Sequence, residues 1–141
     1  MFILLQKYAR SLLKKCIKDF TKAITSDPED AMAYYRGLCK LKLKNYTEAI
    51  LDFTEAITLN PTNNYAYYDR GNCKRALEDY TKVIEDFTQA LKLNLTHAEA
   101  YFYRGCSKQK LGDKEAACID WQQATKLGYP DAYNNIGNHC N

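Results

Sequence analysis

One spacing of about 34 residues recurs along this chain and constrains its fold more than any other feature. An Arg-Gly pair and an Asp-aromatic pair return at that spacing, and an alanine follows each aromatic residue by three positions. Independent columns with one period are the signature of stacked repeats, each built as one supersecondary unit. The glycine column is Gly37, Gly71 and Gly105, and the aromatic column is Phe20, Phe53, Phe87 and Trp121.

Each unit carries two stretches with helical spacing, separated by a short polar break. In the third unit, Tyr80, Val83 and Phe87 lie three or four positions apart, as on one face of a helix. The glycine column is expected to let the two helices of a unit approach closely. Breaks are predicted inside units at Lys44-Asn45, Glu78-Asp79 and Gly112-Asp113, and between units at Asp27-Pro28, Asn60-Pro61 and Tyr129-Pro130.

This pattern resembles the tetratricopeptide repeat, a helix–turn–helix unit of about 34 residues. The residues that carry the match in its clearest unit are Tyr67, Gly71, Tyr80, Val83, Phe87 and Ala90. The resemblance implies an all-α fold, a right-handed superhelical solenoid of antiparallel helix pairs. It places an incomplete first repeat with a basic amphipathic helix at residues 1–30, repeats at 31–64, 65–97 and 98–131, and a capping helix at 132–141. The stretch 126–133 looks more like a Sel1-type linker.

The two ends of the chain differ in polarity. Residues 2–22 combine apolar positions with six basic residues and one acidic residue, Asp19. Array ends usually carry a polar face, so this end either continues into further repeats or docks onto something. The other end reads as a closing helix with a polar outer side, formed by Asn134, Asn135, Asn138 and Asn141.

A binding groove is predicted on the first helices of the units, which line the concave side of such arrays. With the glycines as register marks, the groove positions fall three before, one after and four after each glycine, and two more residues enter from the preceding turns. They are Tyr34, Leu38, Leu41, Tyr65, Tyr68, Asn72, Arg75, Glu99, Phe102, Cys106 and Gln109. Aromatic rings with Asn, Arg and Gln suit an extended peptide or a partner helix. The alternative role of an aromatic ring is only to fill space between repeats and to bind no partner. For Tyr34, Tyr68 and Phe102 both roles are equally favoured, and for Tyr67 and Tyr101 the space-filling role is preferred.

These features predict a non-enzymatic scaffold that binds a peptide or helix of another protein. The chain has no glycine-rich phosphate loop, nucleophile elbow, H-E-x-x-H motif or C-x-x-C pair, so no catalytic site, metal or cofactor is expected. Two alternatives stay open. One is a self-assembling structural unit that stacks through the N-terminal face. The other is a basic surface for acidic partners, RNA or membrane, although a net charge of +3 does not predict nucleic-acid binding.

The residues argue against one partner class of the family. Some tetratricopeptide proteins hold the C-terminal carboxylate of a chaperone with Lys, Asn and Arg side chains on successive first helices. Here only Asn72 suits that role, and Asp69 and Glu99 would repel a carboxylate. The corresponding positions carry Tyr34, Leu38, Asp69, Asn72, Glu99 and Tyr103.

The arginines of the repeat carry a structural hypothesis. Each stands 16 residues before an aspartate, so that one lies on each helix of a unit. We expect a ladder of interhelical ion pairs that serves the fold. The pairs are Arg36 with Asp52, Arg70 with Asp86, and Arg104 with Asp120.

The six cysteines are read as reduced thiols of an intracellular protein. Cys39 and Cys73, at equivalent positions, are expected to replace a small buried alanine. No apolar run approaches the roughly 18–20 residues that span a bilayer. The apolar residues 2–5 are too few for a secretory signal. These observations predict a cytoplasmic location by default.

Overall fold

The computed structural model describes residues 1–26 and 30–140, with side chains for residues 1–22 and 31–140. In those ranges the backbone forms α-helices and no strand, which confirms the all-α prediction. The predicted break at Asp27-Pro28 and the terminal Asn141 lie outside the described residues. The helices are α1 (Phe2–Ser26), α2 (Asp30–Lys42), α3 (Tyr46–Leu59), α4 (Asn64–Ala76), α5 (Tyr80–Leu93), α6 (Ala98–Lys110), α7 (Lys114–Lys126) and α8 (Pro130–His139). None of these described helices is both long and apolar enough to cross a membrane.

The helices pack as successive antiparallel pairs. The pairs are α2 with α3, α4 with α5, and α6 with α7; each pair also contacts the next, while α1 packs on α2 and α8 on α7. In each pair the aromatic residue of the second helix is fully buried against the glycine of the first. A Cβ added at Gly71 would lie 2.9 Å from the ring of Phe87, and one at Gly105 would lie 2.8 Å from Trp121. The predicted close approach of the two helices is confirmed.

The turn inside each pair requires one residue with positive φ. Lys44 and Glu78 both have a φ of 61°, and Gly112, at the equivalent position, has a φ of 89°. The side chains of Asp79 and Asp113 then accept hydrogen bonds from the backbone N–H three residues ahead, which caps the second helix. All three predicted breaks inside units are confirmed.

Gly112→Ala should therefore lower the free energy of unfolding by about 1 kcal/mol, because a side chain at positive φ is strained. Gly137 is the matched control: it lies inside α8, where an added Cβ meets nothing within 4 Å. Gly137→Ala should instead raise stability by up to about 1 kcal/mol, since alanine favours the helix. Urea denaturation of both variants checks the opposite signs, and unchanged or higher stability of Gly112→Ala would contradict the turn geometry.

The predicted ladder of ion pairs is confirmed. Each aspartate is buried, with 2% of its surface exposed. The Arg Nη2 to Asp Oδ1 distances are 2.7 Å for Arg36 and Asp52, 2.7 Å for Arg70 and Asp86, and 2.6 Å for Arg104 and Asp120. A lysine four residues after each arginine contacts the second carboxylate oxygen: Lys40 at 2.8 Å, Lys74 at 2.7 Å and Lys108 at 2.8 Å. The sequence analysis missed this lysine column, although it shares the period of 34.

The prediction of reduced thiols was wrong for four of the six cysteines. Disulfides join Cys16 to Cys39 and Cys118 to Cys140, and they tie the terminal helices α1 and α8 to their neighbours. The pairs are 23 and 22 residues apart, a separation that reflects how neighbouring helices face each other and not the repeat period. Cys73 is free and fully buried, as predicted. Burial raises the pKa of Cys73 to about 12, so it stays a neutral thiol.

The closing helix α8 begins at Pro130, two residues before its predicted start, and not all of its asparagines are exposed. Asn134 and Asn138 are exposed, as expected for a polar outer side. Asn135 is half-buried instead, and its Nδ2 donates to the Sγ of Cys106 on α6 at 3.6 Å. The helix therefore contributes a polar side chain to the interior side of the array.

Candidate binding groove

Hydrogen bonds between repeats join several residues of the predicted groove. The hydroxyl of Tyr34 on α2 donates to Oδ2 of Asp69 on α4 at 2.8 Å. The hydroxyl of Tyr68 on α4 donates to Oε2 of Glu99 on α6 at 2.8 Å. These two bonds connect α2, α4 and α6 in series, so the two tyrosines brace neighbouring repeats and also border the groove.

Burial and the adjacent carboxylates keep both phenols protonated. Burial is the main cause that raises the pKa of Tyr34 far above its ordinary value, and Asp69 adds to it. Burial also raises the pKa of Tyr68; a hydrogen bond with Asn72 opposes that rise and Glu99 adds to it. The hydroxyls therefore remain donors over the whole physiological pH range.

The repeat at residues 31–64 supplies an apolar end to the predicted groove. Leu38 and Leu41 are half-buried and pack with Tyr34 against a cluster that contains Phe53 and Cys73. The ring of Tyr34 lies 5.7 Å from that of Phe53. These three side chains thus fill space between repeats and leave only part of their surface to a partner.

Arg75 stands at the centre of the predicted groove without a carboxylate partner. Its guanidinium carbon lies 4.0 Å from the ring centroid of Tyr103, within range of a cation–π interaction. Its Nη2 is 3.5 Å from Oδ1 of Asn72, at the outer limit of a hydrogen bond. Its Nε is buried and has no hydrogen-bond partner among the described residues. The three arginines of the ladder each bond an aspartate, whereas Arg75 bonds no carboxylate in the described part of the chain.

An aromatic cluster extends the face from α6 to α8. The ring of Phe102 lies 5.1 Å from that of Tyr103 and 4.8 Å from that of Tyr129. Cys106 is half-buried beside Asn135, and burial raises the pKa of its thiol, which argues against a reactive cysteine. Tyr103, Tyr129 and Asn135 were not predicted as groove residues. The predicted groove positions were counted only from the glycine of each repeat, and these three residues fall outside that count.

The remaining predicted residues lie near the start of α4 and along α6. Tyr65 is 57% exposed and its ring lies 6.4 Å from that of His97. Glu99 is exposed and Gln109 is half-buried. Tyr67 and Tyr101, favoured as filling residues, lie beside the arginines of the ladder and not beside Arg75.

His97 is expected to make the stability of the array depend on pH. Its ring lies 4.2 Å from Tyr68, and burial lowers its pKa, with Glu99 opposing. The unfolded chain therefore binds the proton more readily, and the free energy of unfolding should fall as the pH drops below about 6.5. His97→Gln should flatten that decrease in urea denaturation between about pH 7 and pH 5.5, because carboxyl groups such as Asp69 contribute equally to both proteins. Identical profiles would contradict the buried, neutral imidazole.

A cleft between α1 and α2 lies outside the predicted groove. Its volume is about 530 Å³, and it lies between the first half of α1 and the end of α2.

Among the described residues, no group of three or more His, Cys, Asp and Glu side chains is placed to hold a metal ion. The predicted groove offers a partner hydrogen-bonding groups, aromatic rings and charge.

Comparison with known proteins decides the family. Sequence models described as tetratricopeptide repeat match residues 33–63, 65–97 and 99–132, which together make up more than half of the chain. This chain is a tetratricopeptide repeat protein. The likeness of residues 126–133 to a Sel1-type linker stays a prediction.

A curated relative shares part of this tetratricopeptide repeat array. It is the DnaJ homolog subfamily C member 7 homolog of Dictyostelium discoideum, 38% identical over 52 residues. The match covers 36% of this chain and 10% of the relative. This chain therefore spans a small fraction of that protein.

Solved structures share the fold of this tetratricopeptide repeat protein. A crystal structure of MamA has a TM-score of 0.87 at 21% identity and covers 95% of this chain and 75% of its own. The first tetratricopeptide domain of Spaghetti (RPAP3), bound to the HSP90 peptide SRMEEVD, has a TM-score of 0.75 at 23% identity, covering 79% and 90%. At these identities the likeness concerns the fold, and it confirms the predicted solenoid.

Proposed function

We propose that this protein is an interaction scaffold that binds an extended peptide or a helix of a partner protein along α2, α4 and α6. The observation that carries the proposal is Arg75, a half-buried guanidinium with no carboxylate partner among the described residues. A guanidinium only donates hydrogen bonds, so its partner atoms would be carboxylate or backbone carbonyl oxygens. The adjacent amide of Asn72 can complement it by donating or accepting.

The aromatic surroundings of Arg75 support a peptide and not a small ion as ligand. Phe102, Tyr103 and Tyr129 offer ring faces and edges beside the charge, and aromatic residues give large contact area at low entropic cost. Tyr103 covers one face of the guanidinium, which leaves its in-plane donors for the ligand. The preferred peptide therefore carries an acidic residue next to an apolar one.

Selection from a displayed peptide library on the native chain tests this function. Selected peptides should be enriched in Asp or Glu beside an apolar residue. Their affinity should fall about tenfold or more for Arg75→Gln, because a charge-assisted hydrogen bond is lost. It should also fall for Phe102→Ala.

Ile119→Ala is the matched control for these variants. Ile119 is 65% exposed on α7, away from α2, α4 and α6, and its replacement should leave peptide affinity unchanged. Far-UV circular dichroism verifies that each variant is folded. Equal affinity of the native and Arg75→Gln proteins, or equal loss in the control, would refute binding at this face.

A C-terminal carboxylate is not a group that these residues favour. The peptide SRMEEVD and its C-terminally amidated form are expected to bind this chain with the same Kd, because the residues that hold a terminal carboxylate in some family members are replaced here by Tyr34, Asp69 and Glu99. Asp69 and Glu99 accept bonds from tyrosines, but their charges still repel a terminal carboxylate beside them. Titration of both peptides by calorimetry measures this, and tighter binding of the form with the free carboxylate would contradict it.

The same proposal includes a non-enzymatic role, but the two disulfides argue against the cytoplasmic location that the sequence predicts by default. The disulfides bear on the location, because reducing compartments keep most thiols reduced. Alkylation of the chain inside its cell, before and after reduction, distinguishes free thiols from disulfides. A cytoplasmic location would be contradicted if four cysteines reacted only after reduction, namely Cys16, Cys39, Cys118 and Cys140.

A further inference from the structure

The first half of α1 projects beyond the array. α1 has 25 residues and α2 has 13, so α1 is 12 residues longer, or about 18 Å at 1.5 Å per residue. All side chains of residues 1–12 are exposed. The second half is held on α2 by the disulfide from Cys16 to Cys39 and by Phe20, whose ring lies 5.9 Å from that of Tyr35. The projection is thus a helix on a firm base.

The first turn of this helix is apolar on every side. Residues 2–5, here named the α1 tip, have side chains that are 73%, 68%, 70% and 59% exposed. Successive residues of a helix point about 100° apart, so these four side chains point in four directions around the axis. A groove on a protein covers one side of a helix, whereas a fluid hydrocarbon phase can surround the whole tip.

Basic residues follow the tip and have no ion-pair partner among the described residues. The basic collar consists of Lys7, Arg10, Lys14, Lys15 and Lys18, all exposed. The ion pairs of the described residues do not include them. Lys42 and Lys44 add two cations to the cleft beside α1, and no carboxylate lines that cleft. The basic collar is therefore accessible to an anionic surface of another molecule.

We propose that the α1 tip inserts into an anionic membrane surface while the basic collar contacts the lipid headgroups. Four residues of helix reach about 6 Å, within the roughly 5–10 Å to which interfacial helices penetrate. Binding of an interfacial helix increases with its buried apolar area and with its electrostatic attraction to anionic lipids, and α1 carries an apolar and a basic element in sequence. Since no described helix can cross a bilayer, the attachment is interfacial.

Charge disfavours a second copy of the chain as the occupant. Pairing two α1 tips side by side would bring two basic collars together, which costs repulsion. An acidic helix or an RNA would satisfy the collar but leave most sides of the tip in water. The observations therefore favour a lipid surface, and the other occupants are outcomes of the test.

Vesicle flotation with the whole chain tests the proposal. The protein should float with vesicles of equal parts phosphatidylserine and phosphatidylcholine, and not with vesicles of phosphatidylcholine alone. Flotation should weaken as salt is added, because screening reduces attraction to the anionic headgroups. The double variant Leu4→Glu, Leu5→Glu should abolish it, and Lys7→Gln with Arg10→Gln should weaken it about 30-fold.

Matched controls separate the proposed surface from general effects. Leu51 on α3 is 67% exposed, close to the 70% of Leu4, so Leu51→Glu should leave flotation unchanged. Lys92→Gln with Lys126→Gln removes two exposed charges elsewhere and should also change nothing. The tip and collar variants contact few other residues and should keep the native circular dichroism and melting curve.

Several results would overturn the proposal. They are failure of the native chain to float, equal flotation with both vesicle types, or equal loss in Leu51→Glu. Association with a poly-glutamate peptide or single-stranded RNA without vesicle binding would assign the basic collar to that partner instead. Self-association that the tip variant abolishes, again without vesicle binding, would assign it to a second copy.

Discussion

Phe87→Ala is expected to lower the free energy of unfolding by about 3–5 kcal/mol, the usual cost of removing a buried aromatic ring. The ring is fully buried in the middle of the array. It fills the space left by Gly71 and lies 5.6 Å from Tyr68 and 6.5 Å from Tyr103. Its loss opens a cavity among α4, α5 and α6, which urea denaturation followed by circular dichroism should detect.

Leu93 on the same helix provides the comparison for Phe87. It is 42% exposed, so Leu93→Ala should cost about 1 kcal/mol or less. Because stability in repeat arrays depends on neighbouring interfaces, Phe87→Ala should also broaden the unfolding transition. A cost below about 1 kcal/mol for Phe87→Ala would show that the ring is not buried as described.

Asp86→Ala is expected to cost about 3 kcal/mol, because it leaves two half-buried cations without their partner. The carboxylate accepts from Nε and Nη2 of Arg70 at 3.0 and 2.7 Å and lies 2.7 Å from Nζ of Lys74. Arg70 also donates to Thr54 of the preceding repeat at 3.0 Å. Loss of Asp86 should therefore weaken both its own pair and the contact between repeats, as thermal melting would record.

Two further variants assign that cost to the ion pair. Glu85 is the exposed neighbour of Asp86, and Glu85→Ala should stay within about 0.5 kcal/mol of the native protein. Arg70→Met with Asp86→Ala should cost less than the sum of the single variants, since one cation is removed with its partner. Additive costs would contradict a direct pair, and a change in peptide affinity in Arg70→Met would contradict its purely structural role.

The groove was less accessible to sequence analysis than the helices. Counting from the repeat glycines predicted Arg75, Asn72 and Phe102 as groove residues. It did not predict that Tyr34 and Tyr68 donate hydrogen bonds to the next repeat. Those bonds join residues 35 and 31 positions apart, so they share no single spacing. Whether the groove binds a peptide stays a prediction for experiment.

Periodicity reports what every unit has in common, and so the sequence alone determined the helix pairs, the buried rings against glycine and the Arg–Asp ladder. All of these are contacts inside one unit, repeated at one spacing. Contacts between non-equivalent positions depend on the angle at which neighbouring helices cross and on the length of each helix. For that reason only the tertiary structure decided which cysteines form disulfides and how far the apolar α1 tip projects. It also decided that no carboxylate of the described residues bonds Arg75.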